Sequence, residues 1–218
     1  MLTKYFENYA DQYNLYKAGP FCYEDGCLYN GLIALYRATS EDKWLSHLKR
    51  LIDRQVSEDG SLSGYSIDDY NIDNILSGRA LLFLHQGLGD QKYLSGASLL
   101  AEQLSKHPRT KSGVFWHKKR YPWQIWLDGL YMGQPFQIEF AKLSNNPELI
   151  EDSLSQLSIA LELLWVPQTR LYAHGYDEAK VQSWANQETG HSSAHCTCFG
   201  LVMHGSGRHS RDDRLWIG

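Results

Sequence analysis

Apolar residues recur at helical spacing in three long segments, and each segment falls into two halves around a polar turn. The first runs Gly31-LIALYRAT, turns at SEDKW and continues LSHLKRLIDRQ; the second runs Gly78-RALLFLHQG, turns at LGDQKY and continues LSGASLLAEQL. The third runs Gly133-QPFQIEFAKL, turns at SNNPEL and continues IEDSLSQLSIALELL. Paired amphipathic helices repeating at roughly fifty residues predict stacked helix hairpins, each opened by a glycine. The expected fold class is all-α and repetitive.

Between the hairpins lie EDGSLSGYSIDDYN, TKSGVFWHKKRYPWQ and TRLYAHGYDEAKVQSWANQETG. Loops this long and aromatic on a rigid helical scaffold are where sites are built. The functional question therefore falls on them.

Composition narrows the classes. With 43% hydrophobic and 21% charged residues the chain of 218 is an ordinary globular protein, long enough for a sizeable core. A net charge of -4 gives no basic stripe to replace phosphate counterions, so no nucleic-acid partner is expected. His117-Lys-Lys-Arg120 is the one compact basic run. MLTKYFENYADQYNLYKAG lacks the apolar core of a signal peptide, and no apolar run reaches membrane-spanning length. The expected address is cytoplasmic, with no membrane partner. Cys22, Cys27, Cys196 and Cys198 form no disulfide framework and are read as reduced. The 7 Trp and 14 Tyr, many beside Gly, His or Asp, suit sugar rings as well as a core.

Two acids occupy equivalent places. Asp73 precedes Gly78 by five residues and Asp128 precedes Gly133 by five, while Gly26 stands at that distance before Gly31. Hairpins arranged around a common axis would bring Asp73 and Asp128 to the same end of neighbouring helices, facing one cavity. Each also reads as a helix cap. Asp128 stands among Trp123, Trp126 and Tyr131, an apolar setting expected to raise a carboxyl pKa and keep a proton available. His117 and His174 each follow an aromatic residue in an inter-hairpin loop, and either a structural or a binding role fits them.

WHKKRYPWQIWLDGLYMGQPF, with the upstream DNILSGRALL and the downstream LYAHGYDEAKVQSWANQETG, closely resembles the family 105 glycoside hydrolases. These unsaturated rhamnogalacturonyl hydrolases are related to the family 88 unsaturated glucuronyl hydrolases. The resemblance covers roughly residues 1–195 and implies an (α/α)6 barrel, here incomplete at about four of six hairpins. It implies removal of a 4,5-unsaturated galacturonate from the non-reducing end of rhamnogalacturonan oligosaccharides, by hydration of the double bond. Asp128 carries over as general acid/base and Asp73 as the second carboxylate. His117, His174, Trp126 and Tyr23 carry over as substrate-binding groups. No metal and no organic cofactor is implied. An unsaturated glucuronyl hydrolase acting on glycosaminoglycan-type disaccharides is the alternative, and a non-catalytic sugar-binding remnant is the alternative from another class.

The stretch HSSAHCTC places His191, His195, Cys196 and Cys198 close together, a ligand set zinc would accept. After His195, however, the chain departs from the family pattern. Synonymous codons for residues 196–210 read, in a shifted frame, as A-R-A-L-G-W-L-C-M-A-L-V-D-T, the continuation the resemblance implies after a tryptophan. Residues 196–218 are therefore expected to be an aberrant, frame-shifted tail, and the chain itself to be poorly soluble or oligomeric, with little or no hydrolase activity. Under that reading the Cys-rich cluster is an accident of frame, and a zinc site is the competing reading.

Overall fold

The computed structural model describes residues 2–194. A lone helix, α1 (Leu2–Gln12), precedes three hairpins: α2 (Tyr23–Thr39) with α3 (Asp42–Ile52), α4 (Gly78–Leu88) with α5 (Gln91–Lys106), and α6 (Leu127–Leu143) with α7 (Pro147–Leu164). The described residues thus hold three complete α-hairpins and one further α-helix. The expected helical, hairpin-repeat fold is what the chain adopts.

Local chemistry explains the turns. Ser40 ends α2 in the left-handed region at φ 55°, and its N–H bonds the Tyr36 carbonyl. Gly89 ends α4 at φ 73°, and the Asp90 side chain then caps α5 by accepting from Lys92 N–H. Between α6 and α7 the chain reverses at Asn145, φ 51°, and Pro147 opens α7, where its missing donor costs nothing.

One expectation needs correcting. Only Gly78 opens a helix; α2 and α6 begin upstream of Gly31 and Gly133. The glycines at 78 and 133 instead permit close approach. A Cβ at Gly78 would lie 2.7 Å from the Phe136 ring, and one at Gly133 would lie 2.8 Å from Ile72. Ile72 begins a short 3-10 helix, Ile72–Ser77, that leads into α4 and packs against both α2 and α6. The glycine spacing therefore marks where neighbouring elements meet rather than where helices start.

Trp44, Tyr29, Tyr93, Leu48, Leu51, Leu81 and Leu100 form one core between the first two hairpins. Ile125, Leu127, Leu130, Leu157, Ala160 and Leu164 form a second around α6 and α7. Short strands organise the loops, a feature that period-based reading does not catch at this length. β1 (Gln124–Trp126) pairs antiparallel with β4 (Gly175–Asp177), and β2 (Trp165–Val166) pairs with β3 (Leu171–Tyr172). The β1–β4 register sets Trp126 opposite Gly175, so two loops some fifty residues apart share one wall.

Candidate active site

Asp73 sits in the 3-10 helix before α4, and Asp128 in the first turn of α6. His117 comes from the loop between α5 and β1, where its N–H bonds the Gln124 carbonyl at 2.9 Å and its carbonyl accepts from Ile72 at 3.1 Å. These bonds tie the histidine to β1 on one side and to the Asp73 turn on the other. Ligand-capable atoms of Asp73, His117 and Asp128 all lie within 4.8 Å of one another. The two acids thus face one point, as the repeat geometry requires.

His117 Nε2 is 3.3 Å from Asp73 Oδ1, and Lys118 Nζ is 2.5 Å from Asp73 Oδ2. Asp73 and His117 are buried, Lys118 and Asp128 partly so. Burial pulls the His117 imidazole below its ordinary range, and the Asp73 and Asp128 charges oppose that pull without reversing it. His117 is thus a neutral ring at physiological pH, able to accept or donate a hydrogen bond. Among the described residues Asp128 Oδ1 and His117 Nδ1 are buried without a hydrogen-bond partner, and Asp73 Oδ1 has only its 3.3 Å contact with His117 Nε2, which falls short of a hydrogen bond. Buried polar atoms left open in this way are what a bound polar molecule would satisfy.

By spacing alone the trio could hold a metal ion. The Lys118 ammonium already supplies a positive charge against Asp73, which leaves a second cation poorly favoured there.

Aromatic rings build the opposite wall. Trp126 packs at 5.8 Å from His117, edge-on at 5.1 Å from His174 and at 5.3 Å from Trp184, measured between ring centres. The Leu127 N–H bonds the His174 carbonyl at 2.9 Å, which fixes His174 beside the start of α6. Gly129 allows His117 to lie against α6, since a Cβ there would sit 2.9 Å from His117 Nδ1. Tyr23, in the first turn of α2, lines a cleft together with Asp73, and burial followed by the Glu24 and Asp73 charges pushes its phenol above the usual range. All six residues singled out from the sequence therefore lie in one connected region. Trp123 turns instead onto Trp116, at 5.0 Å.

Sequence reasoning passed over Lys118, Trp184 and Gly129. Lys118 adjoins His117 in the basic run, which was the available signal. Trp184 lies inside the aromatic loop but is separated from Trp126 by more than fifty residues. Gly26 stands at the first repeat's position equivalent to the two acids, and its neighbour Asp25 is a fully buried carboxylate. Asp25 accepts from Tyr13 Oη at 2.7 Å, Tyr16 N–H at 3.0 Å and Gln55 Nε2 at 2.9 Å, so this acid holds the chain together. His191 Nε2 donates to the Leu163 carbonyl at 2.7 Å. His195, Cys196 and Cys198, and with them the expected tail, lie outside the described residues. Cys22 and Cys27 are free thiols.

The helical hairpins thus carry two acids, two histidines and the tilted Trp126–Trp184 pair in one region. The chain matches the model of Glycosyl Hydrolase Family 88 over residues 2–196 and belongs to that family. It is 32% identical over 158 residues to the unsaturated rhamnogalacturonyl hydrolase YesR of Bacillus subtilis, covering 70% of this chain and 44% of that protein. A solved glycoside hydrolase of family 105 from C. acetobutylicum superposes with a TM-score of 0.82 at 36% identity, covering 85% of this chain and 52% of that one. The Agrobacterium fabrum protein Atu3128 is 52% identical over 63 residues, 29% of this chain and 27% of that protein. The chain thus covers 44% of YesR and 52% of the C. acetobutylicum enzyme, about half the length of each. Among the described residues no helix is long and apolar enough to cross a membrane.

Proposed function

We propose that the protein removes a 4,5-unsaturated galacturonate from the non-reducing end of rhamnogalacturonan oligosaccharides, in the cytoplasm, by hydrating the double bond. The observation that carries this reading is the convergence of Asp73, Asp128 and His117 within 4.8 Å beside the Trp126 wall. The likeness to YesR supports the substrate class. Likenesses to unsaturated glucuronyl hydrolases stand at 14% and 16% identity and support only the shared fold.

The chemistry follows from the enol-ether character of the C4=C5 bond. Protonated Asp128 gives its proton to C4, and the ring oxygen shares the positive charge that develops at C5. Asp73, held by Lys118 and His117, orients a water towards C5 and stabilises that charge. The water oxygen bonds C5 and its proton passes to the Asp128 carboxylate, which restores the acid. The resulting hemiketal opens to a ketone, and the exposed C1 hemiacetal releases the aglycone as an alcohol. This differs from a two-carboxylate attack at the anomeric carbon, since no glycosyl–enzyme bond forms. Trp126 and His174 offer a face and an edge for the sugar ring, and Tyr23 a phenol on the Asp73 side.

Loss of the substrate's ultraviolet absorbance on an unsaturated rhamnogalacturonan disaccharide tests this reading. Turnover is expected in the protein with its reading frame restored after His195 and absent in Asp128→Asn of that form, with the fold intact by circular dichroism. Near-normal turnover in that variant removes Asp128 from the acid role. Faster turnover of a glycosaminoglycan-type disaccharide favours the alternative aglycone.

A further inference from the structure

The His117 ring has a second nitrogen, turned away from Asp73 and towards α6. A small cavity on that side is lined by His117, Trp116, Gln134 and Gly129, with Ile72 and Ile125 among its apolar walls. Its free volume, about 10 Å3 for the centre of a water molecule, suits one water and not two. Trp116 Nε1, His117 Nδ1 and Gln134 Oε1 are buried and have no hydrogen-bond partner among the described residues. Buried polar atoms are normally paired, and these three belong to residues that share one cavity. Gly129 keeps the approach to the ring nitrogen open, since a Cβ there would lie 2.9 Å from it.

The surrounding bonds fix what each atom can do. Gln156 Oε1 accepts the Phe115 N–H at 3.0 Å, so the Gln134 atom that meets it at 3.3 Å is the amide nitrogen, a donor. Gln134 Oε1 is therefore the atom left open, and it accepts. Asp152 anchors this chain of amides, accepting from Gln156 Nε2 at 2.9 Å and from the Arg109 guanidinium at 2.7 and 2.9 Å. Trp116 is held through its backbone, its N–H on the Pro108 carbonyl and its own carbonyl on His107 Nε2, and its indole N–H is a donor only. His117 can take either role, because burial keeps the ring neutral with a single proton.

One arrangement of a water uses every group. The water accepts from Trp116 Nε1 and donates one hydrogen to Gln134 Oε1 and the other to His117 Nδ1. The ring proton then sits on Nε2, facing Asp73 Oδ1 at 3.3 Å. With the proton on Nδ1 instead, one water hydrogen would lack an acceptor, and an Nε2 lone pair would face the carboxylate. We infer that Trp116 and Gln134 are positioning residues that hold one ordered water against His117 Nδ1 and so fix the ring as its Nε2–H tautomer. His117 thereby meets the reacting side as a hydrogen-bond donor and not as a base. The assignment rests on the proposed function only in calling that side the reacting one.

High-resolution crystallography and nitrogen NMR of the imidazole, on the frame-restored form, test this without turnover. Density is expected for one water within about 3.2 Å of Trp116 Nε1, His117 Nδ1 and Gln134 Oε1, together with nitrogen shifts of the Nε2–H ring. No water at that place, or a His117 protonated on Nδ1, overturns the assignment. Gln134→Met keeps the bulk and removes the acceptor, so the single ring form should give way to a mixture of both tautomers. A Gln134→Met protein that keeps a pure Nε2–H ring removes Gln134 from the positioning role. Should that variant fail to fold, the density and the ring shifts of the unsubstituted protein still decide. A protein that shows the water and the Nε2–H ring but does not hydrate contradicts the proposed function alone; one that hydrates with His117 protonated on Nδ1 contradicts the water site alone.

Discussion

Gly129→Ala isolates the placement of His117 from the stability of the fold. The added methyl would meet His117 Nδ1 at 2.9 Å, where ordinary contact begins at 3.4 Å, so the ring must retreat by about 0.5 Å. The His117 backbone cannot easily follow, because its N–H and carbonyl are bonded to Gln124 and Ile72. The ring must therefore rotate, which alters its 3.3 Å approach to Asp73. Misplacement on this scale costs about tenfold in kcat/KM, on the way to the ~100-fold associated with 1 Å. Stability behaves differently: alanine gains about 1 kcal/mol over glycine in a helix, against an overpacking cost of about 1–3 kcal/mol. The net destabilisation is at most about 2 kcal/mol, a Tm shift below about 8 °C for a chain of this size. Steady-state rates on an unsaturated disaccharide and a melting curve read the two effects apart, and the His117 ring resonances report the displacement without turnover. A variant with unchanged kcat/KM and unmoved His117 resonances would refute the reasoning.

Three further outcomes follow from groups around the site. Burial lowers the His107 pKa to about 4 from its ordinary 6.5, and its ring is fixed as the neutral form by donating to the Trp116 carbonyl and accepting from Gln103. The unfolded chain binds that proton first, so stability should be full above pH 6.5 and fall towards pH 4, by on the order of 3 kcal/mol; denaturation at several pH values should show a shallower slope in His107→Gln. Asp25→Ala leaves Tyr13, Tyr16 and Gln55 donors without their acceptor and should cost about 3–5 kcal/mol in urea unfolding, and a loss below about 1 kcal/mol would mean that water replaces the carboxylate. Because Lys118 already neutralises Asp73, a chelator should leave melting unchanged and metal analysis should find no stoichiometric zinc; one tightly held ion per chain that survives replacing Cys196 and Cys198 by Ser would contradict this account of the trio.

The sequence disclosed most where physics is periodic. Helical spacing located all three hairpins, and equal offsets from Gly78 and Gly133 paired Asp73, in the 3-10 helix leading into α4, with Asp128, in the first turn of α6. The glycine offset was legible but its meaning was not, because close approach at Gly78 and Gly133 depends on Phe136 and Ile72, which only the packed fold brings near. The Trp126 wall rests on β1 pairing with β4, strands of three residues each, too short to leave a two-residue period. Lys118 was visible as charge but not as Asp73's partner, since that pairing depends on how the loop returns to the 3-10 helix. Asp25 shows the limit of repeat reasoning: a carboxylate beside the repeat-equivalent position was diverted into a structural network by Tyr13 and Gln55, residues outside the repeat pattern.

The central claim is that the double bond is consumed in releasing the aglycone, and time-resolved proton NMR of the reaction on an unsaturated rhamnogalacturonan disaccharide tests it most directly. The account predicts that the vinylic H4 signal disappears no later than the free aglycone's anomeric signal appears, and that Asp128→Asn shows neither change. Release of the aglycone together with an unsaturated uronate that keeps its vinylic signal would mean attack at the anomeric carbon, and would contradict the account.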